Sequence, residues 1–178
     1  MSKARSALAN PRELEVLDVC AGRVCLPVCL LVDADACPRA CLEIAYRLGR
    51  VYRWQVVTVA SFHHDLGVAG DAEHVVVSDE PEATDMAVAN RARPGDVVVT
   101  QDYGLAALVL AKQASALGPG GRVYTRENIQ LLLAERHLQA RWRRGGGRTR
   151  GMGARTRDDD RRFEAALRGL LAAGHRRD

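Results

Sequence analysis

Two rhythms of apolar and polar positions alternate along this chain. Cys29-Leu30-Leu31-Val32-Asp33 is a continuous apolar run closed by an acid, and Val97-Val98-Val99-Thr100 is another closed by a hydroxyl. Short runs without polar alternation predict strands buried on both faces of a sheet. Trp54 to Ala60 and Glu73 to Val77 predict further strands, and Arg122-Val123-Tyr124 a short one. Between these runs the apolar period becomes helical. Leu42, Ile44, Ala45 and Leu48 follow Pro38, a residue suited to opening a helix. Residues 82–92, 103–117 and 126–143 predict further helices, the last capped by Thr125. Pro94-Gly95-Asp96 and Pro119-Gly120-Gly121 punctuate the pattern as turns. Strands alternating with helices predict an α/β fold. It has three layers, a mostly parallel central sheet of four to five strands, and helices on both faces.

The ends of the chain break this rhythm. Residues 1–28 have no clean period and hold Asn10-Pro11, Ala21-Gly22 and Pro27. They read as an N-terminal extension outside the fold, with a short helix over 12–19, or as a start assigned upstream of the true one. The α/β domain then occupies 29–144. Residues 145–157 form a Gly- and Arg-rich linker, expected to be flexible. Thr156, with Asp159 three residues on, predicts the cap of a final helix within 158–178. Phe163, Leu167, Leu170 and Leu171 give that helix an apolar face, to be covered by its own domain or by a second copy in a homodimer.

Composition narrows the class. Apolar residues make up 47% of the 178 positions and aromatics only 4%, so the core must be built from Val, Leu and Ala. No apolar run reaches the roughly 18–20 residues that cross a bilayer. Val24 to Val32 comes nearest and contains Pro27. Glu13, Glu15 and Asp18 interrupt any signal-peptide core. These features predict a cytoplasmic protein with no membrane association. The five cysteines, Cys20, Cys25, Cys29, Cys37 and Cys41, form no Cys-x-x-Cys pair, which argues against a disulfide framework or a zinc knuckle. Cys37 and Cys41 share a helix face, as a redox pair or as two small core residues.

Charge is unevenly placed. The net value is +4, yet residues 136–178 carry thirteen Arg against five acids, which leaves 1–135 at −4. A basic tail on an acidic body points to a polyanion partner, RNA or another nucleic acid, or to a solubilising tail.

Ligands of open parallel sheets bind beyond the carboxyl ends of the strands. Asp33 and Asp35 follow the first strand, and Thr100, Gln101 and Asp102 follow the Val97 run. Thr84 and Asp85 open the helix between, while Thr125, Glu127 and Asn128 open the helix after the short strand. Each acid or hydroxyl can be a mere helix cap. Asp33 is the hardest to explain so, because it ends a buried strand where charge is expensive. Crowded carboxylates favour a hard cation, Mg²⁺ or Mn²⁺, which can polarise a water for attack on phosphorus. Arg91, Arg93 and Arg126 are candidate phosphate contacts at the rim, and His63-His64 in a polar loop is another, weaker one.

Val32-Asp33-Ala34-Asp35 also resembles the first motif of haloacid-dehalogenase-type phosphatases, where the first Asp is a nucleophile and the second an acid. The match then departs. Ala36-Cys37-Pro38 replaces the usual turn, Thr100 stands where a last Asp is wanted after Gly95-Asp96, and Lys112 is the only lysine after Lys3.

A broader resemblance covers residues 29–172. Its motifs are Asp33-Ala34-Asp35-Ala36-Cys37-Pro38, Thr84-Asp85-Met86-Ala87, Gly95-Asp96 through Gly104-Leu105-Ala106, and Arg122-Val123-Tyr124-Thr125 with Glu127-Asn128-Ile129. Glu135-Arg136-His137, Gly147-Arg148-Thr149-Arg150-Gly151 and Asp159-Asp160-Arg161-Arg162-Phe163 continue it. In this combination and order the chain resembles the bacterial YaiI/YqxD family, largely uncharacterised and grouped with PIN-like domains, many of which are metal-dependent ribonucleases. The resemblance implies an acidic metal site at Asp33, Asp35, Asp85 and Asp102, with Thr100 as its hydroxyl and Asn128 orienting water or phosphate. Residues 1–28 depart from the family pattern, whose members start just before the first strand.

The resulting expectation is a Mg²⁺- or Mn²⁺-dependent phosphodiesterase acting on RNA. Asp33, Asp102, Asp85 and Thr100 form its catalytic set, and Asn128, Arg126, Arg148, Arg150 and Arg155 hold the nucleic acid. Few aromatics are available for stacking, so sequence specificity should be modest. A non-catalytic RNA-binding or regulatory module on the same fold, or a small-molecule phosphatase, is the alternative.

Overall fold

A computed structural model describes residues 28–35, 37–62, 72–146 and 154–174. The expected helix at 12–19, His63-His64, Arg148, Arg150 and most of the 1–28 and 145–157 segments lie outside the described residues.

The first apolar run forms β1 (Cys29–Asp33), buried at every position. It lies at the centre of the sheet, with β2 (Gln55–Ser61) on one side and β4 (Val97–Val99) on the other. β3 (Glu73–Val77) edges the sheet beyond β2, while β5 (Ser115–Leu117) and β6 (Val123–Tyr124) lie beyond β4. Among the described residues the order is β3-β2-β1-β4-β5-β6, parallel throughout except for the antiparallel β5–β6 pair. In register, Leu30 lies between Val56 and Val97, and Val32 between Thr58 and Val99.

Successive residues of a strand point to opposite faces, and each face carries its own core. Leu30, Val32, Val97 and Val99 pack beneath α1 (Arg39–Tyr52) and α5 (Arg157–Gly174). Cys29, Leu31, Val57 and Val98 pack beneath α2 (Ala83–Arg91), α3 (Tyr103–Ala111) and α4 (Arg126–Arg144). The result is the three-layer α/β arrangement expected. Gly49 lets α1 close on the sheet, since a Cβ there would stand 2.3 Å from Val56 Cγ2.

The final helix lies on α1. Its Phe163, Leu167 and Leu171 are wholly buried in the first core, and Glu164 accepts two hydrogen bonds from Arg47 at 3.2 and 2.8 Å. Its own domain therefore covers its apolar face. Thr156 and Asp159 cap it as expected, with Thr156 N donating to Asp159 Oδ2 at 2.8 Å.

One element differs from expectation. The helix predicted over 103–117 ends at Ala111, and Ser115–Leu117 forms a strand. Ser, Ala and Leu have no strand preference of their own. Gln113 turns the chain with a left-handed φ of 64°. Pairing with β4 and β6 then buries Ala116 and Leu117 completely, and this tertiary burial overrides the local propensity.

Candidate active site

Because β1 and β4 are parallel and in register, Asp33 and Thr100 emerge side by side at the carboxyl end of the sheet. Thr100 Oγ1 donates to Asp33 Oδ2 at 2.8 Å and accepts from Asp102 N at 3.0 Å. This relay joins the ends of the two central strands. Asp33 is 4% exposed, and among the described residues no cationic side chain pairs with it. Burial pushes its carboxyl up and the Thr100 bond pulls it back. The charges of Asp85, Asp35 and Asp102 push it further, to about 6.

The surrounding acids differ in their commitments. Asp35 accepts from Ser61 N at 2.9 Å, Ser61 Oγ at 3.0 Å and Thr84 Oγ1 at 2.7 Å, tying the β1, β2 and α2 junctions together. Asp102 caps α3, accepting from Gly104 N at 2.6 Å and Leu105 N at 3.0 Å. Its other oxygen takes Arg136 Nη1 at 2.6 Å. Burial alone raises Asp102, but Arg136 and the Leu105 and Gly104 N–H groups together hold it below the ordinary carboxylate value. Asp85 makes no capping bond and is raised by burial first and then by Asp102 and Glu82.

These residues line a cleft of about 950 Å³. Eight carboxylates face it against three arginines, Arg122, Arg136 and Arg143. The cationic wall is one face of α4, where Leu132, Glu135, Arg136, Gln139 and Arg143 recur at helical spacing. Arg136 and Arg143 were not picked out from the sequence as site residues. The three-to-four spacing in α4 is the signal that could have found them, although nothing in it says which face meets the cleft.

The opening of α4 stands elsewhere. β6 runs antiparallel, so Thr125 leaves it toward the amino end of the parallel strands. The rule that brings strand-to-helix junctions to one rim therefore does not apply here. Asn128 completes a capping box with Thr125 and also donates to the Val123 carbonyl at 3.0 Å. Neither Asn128 nor Arg126 lines the cleft. Arg93, expected at the rim, is a correction. Its backbone N–H binds Asp96 at the opposite end of the sheet, because α2 runs back against the strands. Arg91 pairs with Glu73 at 3.2 Å. Arg155 lies beside a second, smaller cavity.

The donor set suits a hard cation in kind. Asp33 is a buried carboxylate whose acidic neighbours add to the cost of its charge, a cost that a divalent ion relieves. The ligands are not drawn together, however. Among the described residues no three His, Cys, Asp or Glu side chains form a group able to hold a metal. Asp35 and Asp102 are turned to protein donors instead.

Comparison with known proteins places the chain. Residues 31–173 match the family described as uncharacterized BCR, YaiI/YqxD family. The chain belongs to the YaiI/YqxD family. Its relatives include the UPF0178 protein of Heliobacterium modesticaldum, 54% identical over 142 residues, covering 80% of this chain and 95% of the relative. The UPF0178 protein of Exiguobacterium sibiricum is 45% identical over 140 residues, covering 79% and 94%. That of Lachnoclostridium phytofermentans is 39% identical over 145 residues, covering 80% and 95%. No solved structure matches the chain at a significant level. Among the described residues no helix is long and apolar enough to cross a membrane.

Proposed function

We propose that this YaiI/YqxD protein is a divalent-cation-dependent phosphodiesterase acting on RNA, with a PIN-like acidic site. The observation that carries the reading is Asp33, a nearly buried carboxylate raised to about 6, with three further aspartates around it and no cationic partner among the described residues. Asp33, Asp35, Asp85 and Asp102 would hold Mg²⁺ or Mn²⁺. When bound, the ion supplies a polarised water for attack on phosphorus.

The chain's own residues supply orientation and charge. Thr100 fixes one oxygen of Asp33 and leaves the other for a ligand. Arg136, Arg143 and Arg122 offer a phosphodiester the counter-charge that the acids cannot. Arg136 occupies Asp102 in the free protein, so cation and substrate binding would part this pair, giving Asp102 to the cation and Arg136 to the phosphate.

The phosphatase reading finds less support. Lys112 donates to the Ala89 carbonyl and does not line the cleft. Asp96, the acid of Gly95-Asp96, accepts from Cys29 N at 2.7 Å at the far end of the sheet.

The test is Mn²⁺ calorimetry on the full chain, wild type against Asp33→Asn/Asp102→Asn, followed by RNA cleavage. Micromolar binding lost in the double variant, with Mn²⁺-dependent cleavage lost alongside, is the expected result. Absence of Mn²⁺ binding even with an RNA oligonucleotide present would leave a cation-independent binding module as the better account.

A further inference from the structure

The cleft is not the only cavity at this end of the sheet. A second one, of about 380 Å³, is bounded by Pro38, Tyr124, Arg155, Asp159 and the 118–120 loop. Gln101, Tyr103 and Arg122 line both cavities, so they form a shared wall between them.

The charge of the second cavity is the reverse of the first. Its one carboxylate, Asp159, is consumed by Thr156 N and Oγ1, each at 2.8 Å, and by Arg162. Two arginines remain. Among the described residues the Arg122 guanidinium makes no ion pair or hydrogen bond. Arg155 is held in place at two of its three nitrogens. Nε donates to Asp160 at 2.7 Å and Nη1 to the Pro119 carbonyl at 2.7 Å, while buried Nη2 has no partner. Buried guanidinium N–H groups without acceptors are uncommon and costly. Arg155 is one of the residues that line the cavity. Tyr103 adds a fixed aromatic surface, held edge-on to Tyr124 at 5.7 Å between ring centres and 73° between planes.

Two arginines, one of them fixed in place, an aromatic surface and a cavity within the roughly 300–1,000 Å³ of small-ligand sites are what a phosphorylated nucleoside needs. We infer that this pocket binds one nucleotide of an RNA chain, its phosphate on Arg155 and Arg122 and its base against Tyr103, beside the linkage presented to the acidic cleft. The inference rests on the phosphodiesterase reading for its polymer context. The nucleotide site itself rests on the pocket alone.

Gly120 provides the test. A Cβ there meets no atom within 4 Å, and its backbone needs no left-handed geometry. Gly120→Leu should therefore add bulk at the pocket's lining without strain and away from the cleft. Arg155→Gln risks the fold through Asp160 and Pro119, so exposed Arg122→Gln is the second variant. Uridine monophosphate, inorganic phosphate and uridine are titrated calorimetrically into the full chain.

Uridine monophosphate is expected to bind more tightly than either fragment. Each pocket variant should weaken it about tenfold, the loss expected for a charge-assisted hydrogen bond or its space, while Asp33→Asn leaves it unchanged. No nucleotide binding by wild type, binding indifferent to both pocket variants, or loss on Asp33→Asn alone would overturn the inference. Mn²⁺-dependent RNA cleavage measured on the same proteins separates the two ideas. Cleavage without nucleotide binding removes the pocket and keeps the phosphodiesterase. Pocket binding without cleavage or Mn²⁺ binding does the reverse.

Discussion

Asp33 and Asp96 are buried aspartates at the ends of neighbouring strands of one sheet, 4% and 2% exposed, Asp33 closing β1 and Asp96 preceding β4 at the opposite end. Asp96, just before β4, accepts from Cys29 N at 2.7 Å and Arg93 N at 2.9 Å. Its charge satisfies backbone donors that would otherwise be orphaned at the sheet's amino end. Asp33, at the end of β1, has one hydroxyl donor and three acidic neighbours. Burial alone therefore does not mark a functional acid. The partners of the charge separate the two, backbone N–H groups at one end and other carboxylates at the other.

Asp96→Ala should produce the largest effect. One buried and one partly buried N–H group lose a charged acceptor, at a cost of about 3 kcal/mol. Urea unfolding followed through buried Trp54 would measure it. A loss no greater than that of Asp33→Ala would break the comparison.

Asp33→Asn sharpens it from the other side. The folded chain binds the Asp33 proton more tightly than the unfolded chain, because its value rises from 3.8 to about 6. The stabilisation this gives is complete below the unfolded value and disappears as pH rises through the folded one. Relative to Asp33→Asn, the wild type should lose roughly 2–3 kcal/mol between about pH 4 and pH 6. Parallel stability curves for the two proteins would refute an Asp33 carboxyl raised by burial and by its acidic neighbours.

Thr100→Val removes the one hydroxyl that favours the charged form of Asp33. A loss of about 1–2 kcal/mol is expected, together with a further upward move of the Asp33 carboxyl in an NMR titration. A downward move would show that the hydroxyl serves the neutral acid instead.

Arg136→Gln should matter least for stability. The pair with Asp102 is partly exposed, with side chains 54% and 30% accessible, so less than about 1 kcal/mol is at stake. Its sharper consequence is in binding. Mn²⁺ affinity should rise as Asp102 is freed, while RNA affinity falls. Both falling together would mean that Arg136 only holds the cleft in shape.

Much of the scaffold was legible in the chain's pattern. β1 and β3 stand at their expected residues, and the Thr125 and Thr156 caps form where the spacing places them. Asp33, Asp35, Asp85 and Asp102 do line one cleft, with Thr100 buried behind Asp33, because the parallel-strand rule needs only the strand ends. The same rule misled at β6, whose antiparallel direction carries Arg126 and Asn128 away from that cleft. Nothing in two residues of strand reveals direction. β5 was hidden for a related reason, since Ser115-Ala116-Leu117 is a strand only because its neighbours pair with it.

By itself, the sequence determined the alternation of buried strands and amphipathic helices, the capped helix starts and the acids placed at strand ends. These follow from local periodicity and from the cost of ending a buried run in charge. Tertiary structure decided which of those acids stay crowded and which are neutralised. It brought Arg136 to Asp102 across thirty-four residues and Arg155 to Pro119 across thirty-six, and it laid Phe163 in the core beneath α5. Such pairings depend on how helices lie across the sheet, and helix packing angles are set by whole faces rather than by any local run of residues.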